Sequence, residues 1–157
     1  MSRISPSVIG QPDSLDNVVV RLATAANRSL EADAHAGRLL VVEAEFTNAA
    51  MTFTLPKATG SGNQYKILNN AVLSQDFVVA ALGTDVFSGT AVVQGETATA
   101  TDVFHTTATD DKYTFNNTTT GGLRGDTFEA IDIAAGTWLV RVWANGSGTL
   151  ATGFAAT

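Results

Sequence analysis

The chain has 157 residues, which suits a single domain with a hydrophobic core, and only 15% of them are charged, against roughly 25% in an ordinary soluble domain. The net charge is −6 and the nine basic residues are scattered, so nucleic acid is not an expected partner. The absence of cysteine excludes disulfides and thiolate metal sites, and we expect no membrane partner because no apolar run has membrane-spanning length.

Residues 1–36 differ from the rest, being rich in Ala, Asp, Asn and Ser and free of aromatic residues. The spacing of Val18, Val20 and Leu22 predicts one short strand there. We interpret residues 1–36 as an N-terminal arm that packs on a neighbour or on its own domain. A partly disordered terminus is the alternative. Residues 37–157 then form the domain itself.

Two pairs of segments predict hairpins. Residues 38–46 and 51–55 alternate apolar and polar side chains across a short loop, and Pro56 ends the second segment because it has no N–H for a strand ladder. Residues 103–108 and 112–116 flank an Asp-Asp pair, a further hairpin signal.

The last third of the chain predicts two strands, residues 127–133 and 137–144, joined by an Ala-Ala-Gly turn. Alternation places Trp138 and Val140 on one face of the second strand and Trp143 on the other. Many short strands punctuated by Gly, Pro, Asn and Asp predict an all-β, antiparallel, jelly-roll-like sandwich in a single domain with an N-terminal arm.

Few residues point to chemistry. The only histidines are His35 and His105, and Asp102 lies three positions before His105, so the two side chains point to opposite faces of a strand and suit no shared metal. A calcium site built from the Asp pair at 110–111 and Asp126 is less favoured than solvated loops. No G-x-S-x-G sequence is present. We therefore expect no enzyme activity, no metal and no cofactor.

The Gly-Ser-Gly sequence at residues 60–62 resembles a phosphate-binding loop only superficially. It lacks the spacing of that motif and its Lys-Ser/Thr ending, and no helix is predicted after it. We interpret these residues as a turn.

Trp143 is the candidate contact residue of the strand region, because exposed aromatic side chains concentrate at protein interfaces. Complete burial of both faces of its strand within one sandwich is the alternative. With the arm included, the candidate interface residues are Val18, Val20, Leu22 and Trp143.

Three stretches together carry a resemblance: ADAHAGR at residues 32–38, FTLPKATGSG at 53–62, and TTTGGLRGD at 118–126 followed by EAIDIAAGTW at 129–138. Their order resembles small β-rich virion proteins of tailed bacteriophages, similar to capsid decoration (cement) proteins. The chain departs from this pattern at Gly153, where Pro is expected.

The resemblance implies a structural protein made in the host cytoplasm and carried on the outer capsid surface. It would associate with itself, as a homotrimer, and with the major capsid protein, adding contacts across the seams of the shell. The alternative is a carbohydrate- or receptor-binding β module of a tail or head fibre, with Trp143 or Tyr113 stacking on a sugar.

Overall fold

The computed structural model describes residues 19–22, 26–43, 50–96 and 100–157. These residues form one short helix, α1, over Ala32–His35, and a series of β-strands. The strands are β1 (Val19–Leu22), β2 (Arg28–Ser29), β3 (Leu39–Val42), β4 (Met51–Thr54), β5 (Gln64–Asn69), β6 (Phe77–Ala80), β7 (Val86–Gly95), β8 (Thr101–His105), β9 (Lys112–Phe115), β10 (Thr127–Ala134), β11 (Thr137–Gly146) and β12 (Phe154–Ala155).

The strands form two sheets that pack together, which confirms the predicted all-β sandwich. The seven-stranded sheet has the order β1-β3-β5-β10-β11-β7-β8, and the five-stranded sheet has the order β12-β9-β6-β4-β2. The predicted β10–β11 hairpin is present, and its register pairs Thr127 with Trp143 and Ala134 with Thr137.

The sheets are mixed rather than wholly antiparallel as predicted. Among the described residues, β1–β3, β3–β5, β7–β11, β2–β4 and β4–β6 are parallel pairs. The physical reason is that the chain crosses between the sheets instead of turning back within one. β3 and β4 lie in different sheets, as do β8 and β9, so both hairpins predicted for residues 38–55 and 103–116 are wrong.

Aromatic rings fill the space between the sheets. Tyr113 of the five-stranded sheet lies 6.4 Å from Phe128 of the seven-stranded sheet, measured between ring centroids, and Phe128 lies 5.8 Å from Phe87. Trp138 is fully buried and meets the ring of Tyr65 edge-on at 5.6 Å. Each such ring removes about 150–250 Å² from water, so these contacts dominate the stability of the sandwich.

The described part of the predicted arm is joined to both sheets. β1 lies at the edge of the seven-stranded sheet and β2 at the edge of the five-stranded sheet. Leu22 and Leu30 are buried in the common core. Residues 1–18 lie outside the described residues, so the arm itself stays a prediction for that segment.

The Gly-Ser-Gly turn at residues 60–62 binds the carboxylate of Asp132. The carboxylate of Asp132 accepts hydrogen bonds from the backbone N–H groups of Thr59, Gly60 and Ser61 at 2.7–3.1 Å, and from the Ser61 hydroxyl at 2.6 Å. Burial disfavours the charged carboxylate, but these hydrogen bonds outweigh it and lower the pKa of Asp132 from 3.8 to about 2. Asp132 therefore ties the β4–β5 connection to the end of β10.

Replacing Asp132 by Asn should lower the free energy of unfolding by about 2–3 kcal/mol at pH 7, because an amide cannot accept these hydrogen bonds as a charged group does. The folded-state pKa lies below the unfolded value, so the contribution of Asp132 is present above about pH 4 and is lost as pH falls towards 2. Urea unfolding of both proteins at several pH values measures this. The gap between them should shrink below pH 4, whereas the exposed-site control Asp76→Asn should change little throughout.

Gly153 is required by close packing, which accounts for the departure from the expected Pro. A Cβ at this position would lie 2.6 Å from the ring of Tyr113 and 2.8 Å from the carbonyl oxygen of Thr114. The carbonyl of Gly153 also accepts a hydrogen bond from the N–H of Thr114 at 2.9 Å. Phe154 follows directly and packs on Tyr113, with ring centroids 5.0 Å apart. A side chain at residue 153 would push the last strand off the sheet.

Replacing Gly153 by Ala should destabilise the protein by about 1–3 kcal/mol, the usual cost of overpacking a buried site. Thermal and urea unfolding measure the effect. Ala156→Gly, an exposed change three residues further on, is the control and should cost much less. An unchanged stability for Gly153→Ala would contradict the packing argument.

Candidate interaction face

The seven-stranded sheet packs one face on the core and presents the other, the outer face, away from it. Along β11, the side chains of Trp138, Val140 and Val142 are buried in the core, whereas Arg141 and Trp143 are exposed. Trp143 is 55% exposed and is the largest exposed hydrophobic side chain among the described residues. The period-two prediction for this strand is therefore confirmed, and the outer face becomes the candidate site.

An apolar row crosses the outer face from strand to strand. The pairing registers align Trp143 of β11 with Thr127 of β10 on one side and with Val92 of β7 on the other. Val92 is in turn aligned with Val103 of β8, which is 54% exposed, and Thr127 with Leu68 of β5. Side chains that are cross-strand neighbours lie about 5 Å apart, so the row forms one continuous strip.

A charged row lies beside the apolar row, two residues along each strand. Its members are Lys66 of β5, Glu129 of β10 and Arg141 of β11, followed by Thr90 of β7 and His105 of β8. The guanidinium of Arg141 lies 3.7 Å from the carboxylate of Glu129. Both side chains reach solvent, so this ion pair contributes little to the stability of the chain and its charges remain available to a partner.

A shallow depression of about 280 Å³ lies where the two rows meet. Trp143, Thr127 and Val92 line it from the apolar row. The charged row contributes the side chains of Lys66, Glu129 and Arg141. The depression is open, and such a combination of an aromatic ring with charged groups suits surface contacts better than enclosure of a small substrate.

Asp126 fixes the end of the outer face at which Trp143 lies. Its buried carboxylate accepts hydrogen bonds from the N–H groups of Gly122 and Leu123, at 2.7 and 3.0 Å, and from the backbone and side-chain nitrogens of Asn145, at 2.9 and 2.8 Å. Burial raises the pKa of Asp126 despite these bonds. The carboxylate thus joins the TTTGGLRGD loop to β11 two residues after Trp143.

The structure separates the four predicted interface residues. Leu22 is 3% exposed and lies in the chain's own core, and Val20 is partly buried against that core. Val18 lies outside the described residues. Trp143 is the member that lies on an exposed surface, so the candidate site is built from its neighbours on the sheet rather than from the arm.

The residues considered for chemistry lie apart. His105 belongs to the charged row of the outer face, whereas Asp102 is aligned with the buried Val93 on the opposite face, as the strand period predicts. Asp110 accepts a hydrogen bond from the N–H of Thr107 at 2.7 Å. Across the described ranges, no cluster of three or more His, Cys, Asp or Glu residues could hold a metal.

Tyr113, the other residue predicted to stack on a sugar, does not reach the surface. It is fully buried, and its hydroxyl donates a hydrogen bond to the carbonyl of Thr120 at 2.9 Å. Burial, followed by the nearby charge of Asp126, raises the pKa of Tyr113. The prediction for Tyr113 is wrong because its strand turns that side chain towards the core.

Comparisons with known proteins found no matching family model, no matching curated protein and no matching solved structure. In the part of the chain that the structure describes, no helix is long and apolar enough to cross a membrane. The function is therefore inferred from the residues of the outer face.

The two tryptophans of β11 form a matched pair for testing this assignment of faces. Trp143→Ala should change the free energy of unfolding by less than about 1 kcal/mol, because its ring is largely in water. Trp138→Ala should cost about 3–5 kcal/mol, because it empties the core. Urea unfolding measures both. Comparable losses for the two variants would contradict the exposed position of Trp143.

Proposed function

We propose that the chain is a non-enzymatic structural protein of a tailed-phage particle, a decoration protein that binds the outer shell as an oligomer and stabilises it. The supporting observation is the apolar row on the outer face of the seven-stranded sheet, with Trp143 at its centre. A face of this kind suits contacts between protein chains, since large aromatic side chains dominate interface energies. The resemblance to virion proteins supports the location.

The scaffold suits this role. Loops are tied to strands by the buried carboxylates of Asp132 and Asp126, so the sheet presents its outer face from a rigid framework. A decoration protein adds many weak contacts at once, and linked copies reinforce one another through effective concentration. The low charge of the chain, 15% of residues, lessens the cost of removing its surface from water.

A carbohydrate-binding module of a tail or head fibre is the second candidate. The depression beside Trp143 favours it, because an aromatic ring flanked by Glu129 and Arg141 offers a stacking surface together with hydrogen-bonding groups. The face has no second exposed aromatic residue among the described residues, whereas an extended sugar chain is usually held by several contacts. This favours the protein-contact proposal over the glycan-binding one.

Binding to particles tests the proposed function. The probe is a preparation of shells, lacking this chain, from a tailed phage whose genome encodes the sequence. The purified chain should sediment with these shells and raise their temperature of disruption. Trp143→Ala should weaken binding at least about tenfold, because it removes the aromatic contact between copies and with it the reinforcement that linked copies give one another on the shell. The control Leu82→Ala alters an exposed loop residue and should bind as the parent does.

Absence of binding by the parent chain would contradict the decoration role. A glycan array probed with the parent and with Trp143→Ala separates the second candidate. Binding to a glycan that is lost in the variant, together with no binding to shells, would establish the carbohydrate module instead.

A further inference from the structure

We infer that the outer face pairs with the same face of a second copy of the chain, about a twofold axis that lies between β10 and β11 and runs parallel to them. The inference deepens the proposed function and rests on its premise that the outer face receives protein. The supporting observation is a complementarity within the sheet, between β10 and its neighbour β11.

The residues of β10 and β11 are complementary pair by pair. The register aligns Glu129 with Arg141, which carry opposite charges. It also aligns Ile131 with Leu139, which are both aliphatic and partly exposed. The remaining pair on this face is Thr127 with Trp143, a small side chain beside a large one.

The proposed axis converts these lateral neighbours into contacts across the interface. Rotation about it brings two outer faces together and exchanges β10 with β11. Glu129 of one copy then lies over Arg141 of the other, and Trp143 lies over the small Thr127 of the other. Ile131 lies over Leu139 of the second copy. The two Trp143 side chains therefore do not collide, and the interface contains two contacts between Glu129 and Arg141.

The next strands outward continue the complementarity. β5 of one copy lies over β7 of the other, which places Leu68 over Val92 and Lys66 over Thr90. Apolar side chains thus meet apolar ones along the row, and the ammonium of Lys66 faces a hydroxyl rather than another cation. Glu129 and Arg141 of both copies form a group of four charges in which neighbours have opposite sign.

Other positions of the axis lose this agreement. An axis along β11 would place Arg141 over Arg141 and Trp143 over Trp143. An axis between β5 and β10 would pair Glu129 with Lys66 of the second copy, but it would place Arg141 over the apolar Leu39 and Ile131 over the polar Gln64. An axis between β11 and β7 would place Arg141 over Thr90 and leave its charge unpaired. The β10–β11 position is the one of these that joins opposite charges and also places Ile131 over an aliphatic side chain, Leu139.

The face is close to the size that such a contact needs. The six strands that overlap in this pairing, from β3 to β8 in the sheet order, are spaced about 4.8 Å apart and average about seven residues, so they cover a patch about 30 Å by 23 Å. Stable interfaces bury about 800 Å² per partner, so this patch approaches the necessary scale. Two sheets packed face to face with strands nearly aligned also reproduce the usual geometry of sheet packing, at about −30°.

Charge reversal tests the pairing in solution, with sedimentation equilibrium on the full chain. The parent should dimerise. In Glu129→Arg every facing charge pair is positive, and in Arg141→Glu every facing pair is negative, so each variant alone should associate at least about tenfold more weakly. An equimolar mixture should recover a dimer of one copy of each variant, because both contacts then join Arg to Glu.

The controls are Glu31→Arg, a charge reversal at an exposed site off this sheet, and Leu82→Asp, an exposed apolar residue made acidic. Both should dimerise as the parent does, and Trp143→Asp should not. Thermal unfolding of each variant verifies that it is folded.

A parent chain that stays monomeric at about 100 µM would overturn the inference. So would a trimer, or any association that is unaffected by the two reversals or not recovered on mixing them. The outcome is separable from that of the proposed function. A dimer that does not bind shells contradicts the decoration role and leaves the twofold pairing intact. Shell binding by a monomer contradicts the twofold pairing and leaves the shell as the partner.

Discussion

A two-layer sandwich can bury only one face of each sheet, and the arrangement of this molecule depends on that constraint. The rings of Phe87, Tyr113 and Phe128 fill the interior and join the layers. Every strand of the larger sheet must then place half of its side chains on the opposite side. On the outer face those side chains include the apolar row that contains Trp143 and Val103, and exposing apolar side chains to water is unfavourable. The constraint that stabilises the fold thus also leaves an apolar row exposed on the outer face.

Buried carboxylates perform the cross-linking that disulfides or metals perform in other small domains. Asp132 gathers the N–H groups of a turn, and Asp126 joins a loop to β11. Each is held by several donors, so a charge that would be costly inside a protein becomes a fixed connection. A third carboxylate, Asp85, is fully buried and accepts a hydrogen bond from the N–H of Ala58 at 2.6 Å, with Lys57 beside it. The acidic composition therefore includes structural charges as well as solvated ones.

The sequence pattern predicts local structure well and strand partners poorly. Alternation along β11 correctly separates Trp138 from Trp143, because side-chain direction depends only on strand period. The hairpins predicted around residues 48 and 110 are wrong, because a loop composition does not say whether the next strand joins the same sheet. For the same reason the sequence does not identify Val92 and Val103 as neighbours of Trp143.

Other residues could be anticipated only in part. The turn at residues 60–62 is predictable from Gly-Ser-Gly, but its bond to Asp132, about seventy positions later, requires the tertiary structure. Gly153 gives no local signal, since its role depends on the ring of Tyr113. Leu22 belongs to a short segment whose alternation predicts an exposed strand. In the structure this segment is β1, at the edge of the seven-stranded sheet, and the Leu22 side chain is buried in the core. The resemblance to virion proteins implies a role but identifies no contact residues. The candidate face can be located only from the strand registers of the seven-stranded sheet.

The position of β11 also governs the order of events during folding. This strand lies between β10 and β7, yet it follows both of them in the chain, and its parallel register joins Val86 to Thr137. Pairings between residues so distant in the chain form slowly, commonly over milliseconds to seconds. The outer face is therefore incomplete until β11 has been made and paired. Under the proposed pairing, copies would recognise one another only after each has folded, which would separate folding of the single chain from assembly.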